Sequence, residues 1–256
     1  VSPKLYALWV DIVLAWRMAL SDIKQRYRGS TLGPFWLVLS MLVTGASLTI
    51  VYSVIFKVSY REYLAYLIVG MSVWIFISGV ISDASTCFIN AAGLIKNTQI
   101  PLSVHIIRPV FRHLIILLHN AIAVLLILPL TVGIHPFGLL FGAIGCVLVT
   151  AVLLPYVSII AFAGARFRDV AQIVVNLLQF SMFLTPIFWF AKSAGTRGYM
   201  TAFNPFFHML NVVRSPVLGT PTGPVSYLVL LGVGVLGAAG AYMTYRLQRR
   251  FVAFWV

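Results

Sequence analysis

Lys24-Gln25-Arg26-Tyr27-Arg28-Gly29-Ser30-Thr31-Leu32-Gly33-Pro34-Phe35-Trp36 is the stretch that decides how the rest of this chain folds. Three cations open it, two glycines and a proline follow, and an aromatic pair closes it. The residues before it are amphipathic. The residues after it form an apolar run long enough to cross a bilayer. Lysine and arginine resist transfer into hydrocarbon by about 2.5–3.5 kcal/mol each on insertion scales. The three cations therefore pin this end to the cytoplasmic face. The chain leaves the membrane surface here and turns into the membrane.

Upstream, Leu5, Trp9, Ile12, Val13, Trp16, Leu20 and Ile23 recur at helical spacing. Lys4, Asp11, Arg17, Asp22 and Lys24 share the remaining surface. This pattern predicts an amphipathic helix over residues 3–24 lying in the membrane interface. Too few residues follow before the apolar run to build a soluble helical domain.

Downstream, a crossing needs about 20 apolar residues. The sequence predicts six, at 35–56, 64–88, 105–132, 139–163, 173–190 and 225–245. The expected fold is an all-α membrane protein, one permease domain over residues 1–256. It has six transmembrane helices, the N-terminal interfacial helix, and re-entrant outer helices between spans five and six. The outer region 191–224 is too apolar for a solvated loop, with Phe203, Phe206, Phe207, Met209, Leu210 and Val213. Gly195, Pro205 and Pro216 break it. Short helices dipping into the outer leaflet fit, provided protein or a wet cavity covers their backbone. On this topology Lys57, Arg61, Lys192, Arg197 and Arg214 are outer cations, and the remainder of the 18 are inner. The positive-inside rule then puts both termini in the cytoplasm.

Composition agrees. Of 256 residues 61% are hydrophobic and 9% charged, against about 25% charged in a soluble domain, and the mean hydropathy is +1.01. Such a chain cannot cover a globule with polar surface. The net charge of +13 reflects cationic loops beside anionic lipid, not nucleic acid. Cys87 and Cys146 lack metal-ligand spacing and read as buried thiols. The run 35–56 is too long for a cleavable signal, so none is expected. No internal repeat points to an inverted-repeat transporter.

The sequence predicts no catalytic residue and no metal site. Gly93-Leu94-Ile95-Lys96-Asn97-Thr98 lacks the phosphate-cradling GxxxxGK[ST] spacing, so any ATP must be bound by a partner. The acids Asp11, Asp22, Glu62, Asp83 and Asp169 form no pair. That weighs against a membrane-embedded glycosyl or phosphoryl transferase, and no filter sequence supports an ion channel. Asp83 reads as paired with a nearby cation or snorkelling rather than as a proton carrier. His119 and Asn120 inside the third span are a site or an interhelical hydrogen bond. Arg26 and Arg28 suit a phosphate-bearing headgroup, whose oxygens match an arginine fork, or they anchor topology alone. Most span aromatics suit an interfacial belt or core packing. Tyr52, Phe180, Phe183 and Trp189 are candidates for a lining on which sugar faces stack.

Several motifs together resemble the membrane subunit of bacterial ABC exporters for polysaccharides, the O-antigen type foremost. They are residues 26–36, Gly93-Leu94-Ile95-Lys96 with Pro101-Leu102, Arg166-Phe167-Arg168-Asp169, Thr185-Pro186-Ile187-Phe188-Trp189 and Asn204-Pro205-Phe206. Their order covers nearly the whole chain. The resemblance implies a multi-pass protein of the bacterial inner membrane, working as a homodimer with two ABC ATPase subunits that hold ATP and magnesium. It makes residues 3–24 an interfacial gate helix and 90–103 a coupling segment, with Asn90, Gly93, Leu94, Lys96 and Pro101 toward the ATPase. Asn204, Pro205 and Phe206 become part of an outer gate. The substrate implied is a polyprenyl-pyrophosphate-linked glycan, admitted past Arg26 and Arg28. A small lipid, a drug or a teichoic-acid-type polymer is the alternative cargo.

Overall fold

Gly29 (φ 82) and Gly33 (φ 56) adopt the left-handed conformation in the turn after the first helix. The Gly33 N–H donates to the Ser30 hydroxyl at 3.1 Å. Pro34 then starts the first long apolar helix, where its missing N–H is no loss. The computed structural model describes residues 3–191 and 199–256. The elements in order are α1 (Pro3–Arg26), α2 (Phe35–Phe56), α3 (Tyr60–Ala84), α4 (Cys87–Asn90), α5 (Ala92–Asn97) and α6 (Leu102–Ile127), prolonged by a 3-10 turn at Leu128–Leu130. There follow α7 (Pro136–Arg166), α8 (Val170–Leu184), α9 (Tyr199–Ala202), α10 (Pro205–Val217), α11 (Pro224–Gln248) and α12 (Val252–Trp255). No strand occurs among the described residues.

Five helices, α2, α3, α6, α7 and α11, are long and apolar enough to cross a membrane. The expected fifth crossing, 173–190, is not one helix. α8 has 15 residues and ends at Leu184. At 1.5 Å per residue it reaches about 22 Å, short of the roughly 30 Å hydrocarbon thickness. The cause is local. Thr185 precedes Pro186 and is extended (φ −85, ψ 135), because the proline ring crowds the helical conformation of the residue before it. The second crossing also shifts, to 60–84. Its preceding turn shrinks to 57–59, since Lys57 caps α2 in the left-handed region (φ 54) and Val58 N–H donates to the Ser53 carbonyl at 3.1 Å. Residues 192–198, with Lys192, Gly195 and Arg197, lie outside the described residues.

α3 is the hub. It packs against α2, α6, α7, α8 and α10. Tyr63, Leu67, Ile68, Phe76, Ile77 and Val80 on it are fully buried. A helix apolar on all sides belongs inside a bundle. Between spans there is little hydrophobic drive, so close van der Waals fit decides the packing. α7 shows this with Gly138, Gly142 and Gly145, which let α10 lie directly on it: a Cβ on Gly145 would collide with the Val212 carbonyl. Gly145→Ala is therefore expected to push α10 off α7 and destabilise by about 1–2 kcal/mol. Thermal melting of the purified protein reads this, and an unchanged midpoint would refute the fit.

Candidate functional site

One end of the bundle gathers the basic segments. There α1 lies on α6, joined by polar contacts that the spacing of Asp11 and Asp22, three helical turns apart, makes possible. Ser103 Oγ donates to Asp11 Oδ2 at 2.6 Å. Arg108 grips Asp22 with two nitrogens, Nε to Oδ2 at 2.8 Å and Nη2 to Oδ1. Arg112, one turn further on α6, reaches Asp22 Oδ2 at 3.4 Å and also Asp83 on α3. His113 Nε2 meets the same Asp83 oxygen. One chain of charge thus ties α1, α6 and the end of α3. Beside it a polar cavity of about 60 Å³ is lined by Asp83, Cys87, Asn90, His105, Arg108, Pro109 and Arg112. That is room enough for water. The expectation that Asp83 pairs with a cation holds. The link from Asp22 to Arg108 and Arg112 was missed, although the four-residue step between the two arginines already put them on one helix face.

Arg26 and Arg28 are exposed and have no carboxylate partner among the described residues. They sit where α1 hands over to α2. In the expected coupling segment, Gly93, Leu94, Lys96 and Pro101 are exposed. Asn90 Nδ2 donates to Thr86 Oγ1 at 3.1 Å, and Thr98 Oγ1 donates to the Leu94 carbonyl at 2.6 Å, closing α5. α5 is thus a short capped helix with an outward edge.

The opposite end holds a cradle of carbonyls. Residues 185–190 run through turns and bends without helical partners, and neighbouring elements supply replacements. Tyr63 OH donates to the Phe188 carbonyl at 2.7 Å. Tyr66 OH lies 2.9 Å from the Pro186 carbonyl and 2.8 Å from that of Trp189. Arg214 on α10 donates to the Pro186 carbonyl at 2.7 Å, with its guanidinium 4.0 Å from the Tyr66 ring centre. Arg214 is 4% exposed, so this cation, assigned to the outer side by the topology, lies inside the fold. It is a buried strut, because the break at Pro186 creates acceptors that water would otherwise have to fill. Asn204 caps α10, accepting from Phe206 N at 2.9 Å and Phe207 N at 3.3 Å, and its Nδ2 donates to Thr185 Oγ1 at 2.9 Å. Pro205 begins the helix, and Phe206 packs edge-on against Trp74 at 5.6 Å. Of the three expected gate residues, Asn204 ties α10 to the break after α8, Pro205 opens α10 and Phe206 packs it on α3.

The expected lining residues divide into two places. Tyr52 stacks on Phe56 at 5.8 Å, beside Tyr63 and Phe190, in the aromatic cluster at the cradle. Trp189 Nε1 donates to the Phe183 carbonyl at 3.1 Å. Phe180 and Phe183 project from α8, 66% and 62% exposed. The interhelical bond expected at His119 and Asn120 is not found among the described residues. His119 Nδ1 bonds the Ile115 carbonyl of its own helix at 2.7 Å, and Asn120 Oδ1 is buried without a partner.

Two comparisons bear on this arrangement. The sequence profile described as ABC-2 type transporter matches residues 13–218. The chain is also similar to the O-antigen export system permease protein RfbA of Myxococcus xanthus, 25% identical over 195 residues, which cover 74% of each chain.

Proposed function

The chain belongs to the ABC-2 type transporter family, and on that premise we propose that it is the membrane-spanning subunit of an ATP-driven exporter of lipid-linked polysaccharide, O-antigen type, across a bacterial inner membrane. Two copies form the permease. Two ABC ATPase subunits bind below and hold ATP and magnesium. Both termini lie in the cytoplasm, and α8 with the turns at 185–190 makes the fifth of six crossings. The observation that carries the reading is the state of the cations: Arg108, Arg112 and Arg214 are engaged within the fold, whereas Arg26 and Arg28 stand exposed and unpaired at the membrane edge. Free guanidinium forks there suit a pyrophosphate whose lipid tail stays in the bilayer. The name of the Myxococcus relative points to the same cargo.

In this mechanism nucleotide binding drives the ATPases against α5. α5 follows α4, which continues from the end of α3, where Asp83 holds Arg112. Arg112 and Arg108 hold Asp22 on α1. A push on α5 therefore bears on the helix that carries Arg26. Only contacts that differ between two states can transmit such a push, and exchangeable ion pairs are contacts of that kind. α2 and α8 then part at the seam between the two copies, and the glycan follows the pyrophosphate. Arg26→Gln with Arg28→Gln is expected to cut polymer export strongly while the complex still assembles. Export equal to wild type would remove both arginines from the mechanism.

A further inference from the structure

His105, near the start of α6, is 1% exposed, and neither of its ring nitrogens has a hydrogen-bond partner among the described residues. A neutral imidazole carries one donor and one acceptor. Leaving a buried polar group bare costs about 1–3 kcal/mol, and buried polar groups are paired as a rule. The partner of His105 is to be sought in the polar cavity of about 60 Å³ that it lines with Asp83, Cys87, Asn90, Arg108, Pro109 and Arg112.

The unused groups around this cavity are mostly donors. Arg112 spends its two Nη atoms on Asp22 and Asp83, and its Nε is buried without a partner. Arg108 spends Nε and Nη2 on Asp22, which leaves Nη1 unpartnered among the described residues. Asn90 gives one N–H to Thr86 and keeps the other. Guanidinium groups cannot accept. The lining sets two cations against the one carboxylate of Asp83, so the set suits an anion. Asp83 adds a restriction. Arg112 and His113 both reach its Oδ2, and Oδ1 stays open among the described residues. A carboxylate only accepts. It repels an anion that has no proton and bonds one that carries an O–H.

We propose that the cavity is a binding site for inorganic phosphate. At neutral pH orthophosphate carries both negative oxygens and a P–OH. Its oxygens take the N–H groups of Arg108, Arg112 and Asn90, and its P–OH donates to Asp83. His105 gives or takes a hydrogen bond and completes the shell in either tautomer. Sulfate, chloride and the phosphodiesters of most bilayer headgroups have no proton to offer Asp83. The size agrees. A water needs about 10–15 Å³, so the cavity holds several, and a tetrahedral oxyanion takes their place. The bound ion uses groups that the ion pairs leave over, so the hold on Asp22 stays intact. It joins Asn90 of α4 to α6 and stiffens the step from α3 to α5. The site goes beyond the export reading and does not depend on it; on that reading its ligand is also a product of the ATPase stroke.

The test is binding of radiolabelled orthophosphate to the purified full chain in phosphatidylcholine nanodiscs, read by equilibrium dialysis. Saturable binding of one phosphate per chain is expected, displaced by unlabelled phosphate and not by equal sulfate or chloride. His105→Phe keeps a ring, removes both nitrogens and is expected to weaken binding by about tenfold or more. Asp83→Asn is expected to admit sulfate, since an amide can donate to an unprotonated oxygen. No saturable binding to the wild-type chain would mean that water alone fills the cavity, and would overturn the proposal. Binding undiminished in His105→Phe, or lost instead in the Arg26→Gln, Arg28→Gln variant, would place the ion elsewhere and overturn it too. An Asp83→Asn chain that binds phosphate and still excludes sulfate would overturn the part given to the carboxylate. Orthophosphate binding abolished by phosphatidic acid in the discs would give the site to a lipid phosphomonoester and overturn free phosphate as its ligand. None of these outcomes touches the export reading.

Discussion

Arg112→Leu is expected to be the most damaging single substitution at the basic end of the bundle. Among the described residues, Arg112 is the one side chain that forms ion pairs with both Asp22 and Asp83. Without it Asp83 keeps only His113, and Asp22 keeps only Arg108. Removing one partner from a fully buried ion pair costs about 3–5 kcal/mol. These side chains are 14–26% exposed, so solvent screening reduces the expectation to about 1–3 kcal/mol. The loss should be felt first in α1, whose hold on α6 depends on this charge. Amide exchange over residues 6–26 should quicken before the spans themselves loosen. Arg112→Lys should recover part of the stability, since an ammonium keeps the charge and lacks the fork that serves two carboxylates at once. If Arg112→Leu melted like wild type and α1 exchanged at the wild-type rate, the ion chain would be ornamental.

The second large effect is expected at the cradle. Tyr66→Phe removes the hydroxyl shared between the Pro186 and Trp189 carbonyls. A buried acceptor left bare costs about 1–3 kcal/mol. Arg214 still serves Pro186 in that variant, so the double substitution Tyr66→Phe, Arg214→Met should cost more than the two single effects added. The coupling follows from the shared acceptor, and a double-mutant cycle on the melting free energy measures it. Strict additivity would show that Tyr66 and Arg214 do not hold the same carbonyl. The consequence for transport follows from position. Residues 185–190 join α8 to the outer helices, so a loosened cradle should let the far end open without a stroke from the ATPase. Passage of a small solute through the double variant, absent from wild type, would report that.

Much of this was legible without coordinates. The helices α2, α3, α6, α7 and α11 were read from apolar run length, because a bilayer sets the length and an apolar stretch of that size has no other stable place. α1 was read from its stripe of apolar residues. Of the two readings open for Asp83, pairing with a cation or snorkelling, the structure shows the pairing. The break in the expected fifth crossing was also written in the sequence, as Thr185-Pro186, but hydropathy alone runs straight through it. Proline acts on backbone conformation, which a hydropathy sum does not register. The use of Arg214 was not legible for a related reason: a charge count gives the side of the membrane, whereas the carbonyls freed at the break give the side chain a buried use. Its true partners come from residues 66 and 186, far away in the chain.

By itself, then, the amino-acid sequence determined that this chain lives in a membrane and where five of its long apolar helices begin and end to within a few residues. These follow from solvation, which each residue carries with it. Only the tertiary structure decided which cations are spent inside the fold and which are left free. Those outcomes depend on which faces α3 covers and which it leaves open, and no local property of the chain specifies that.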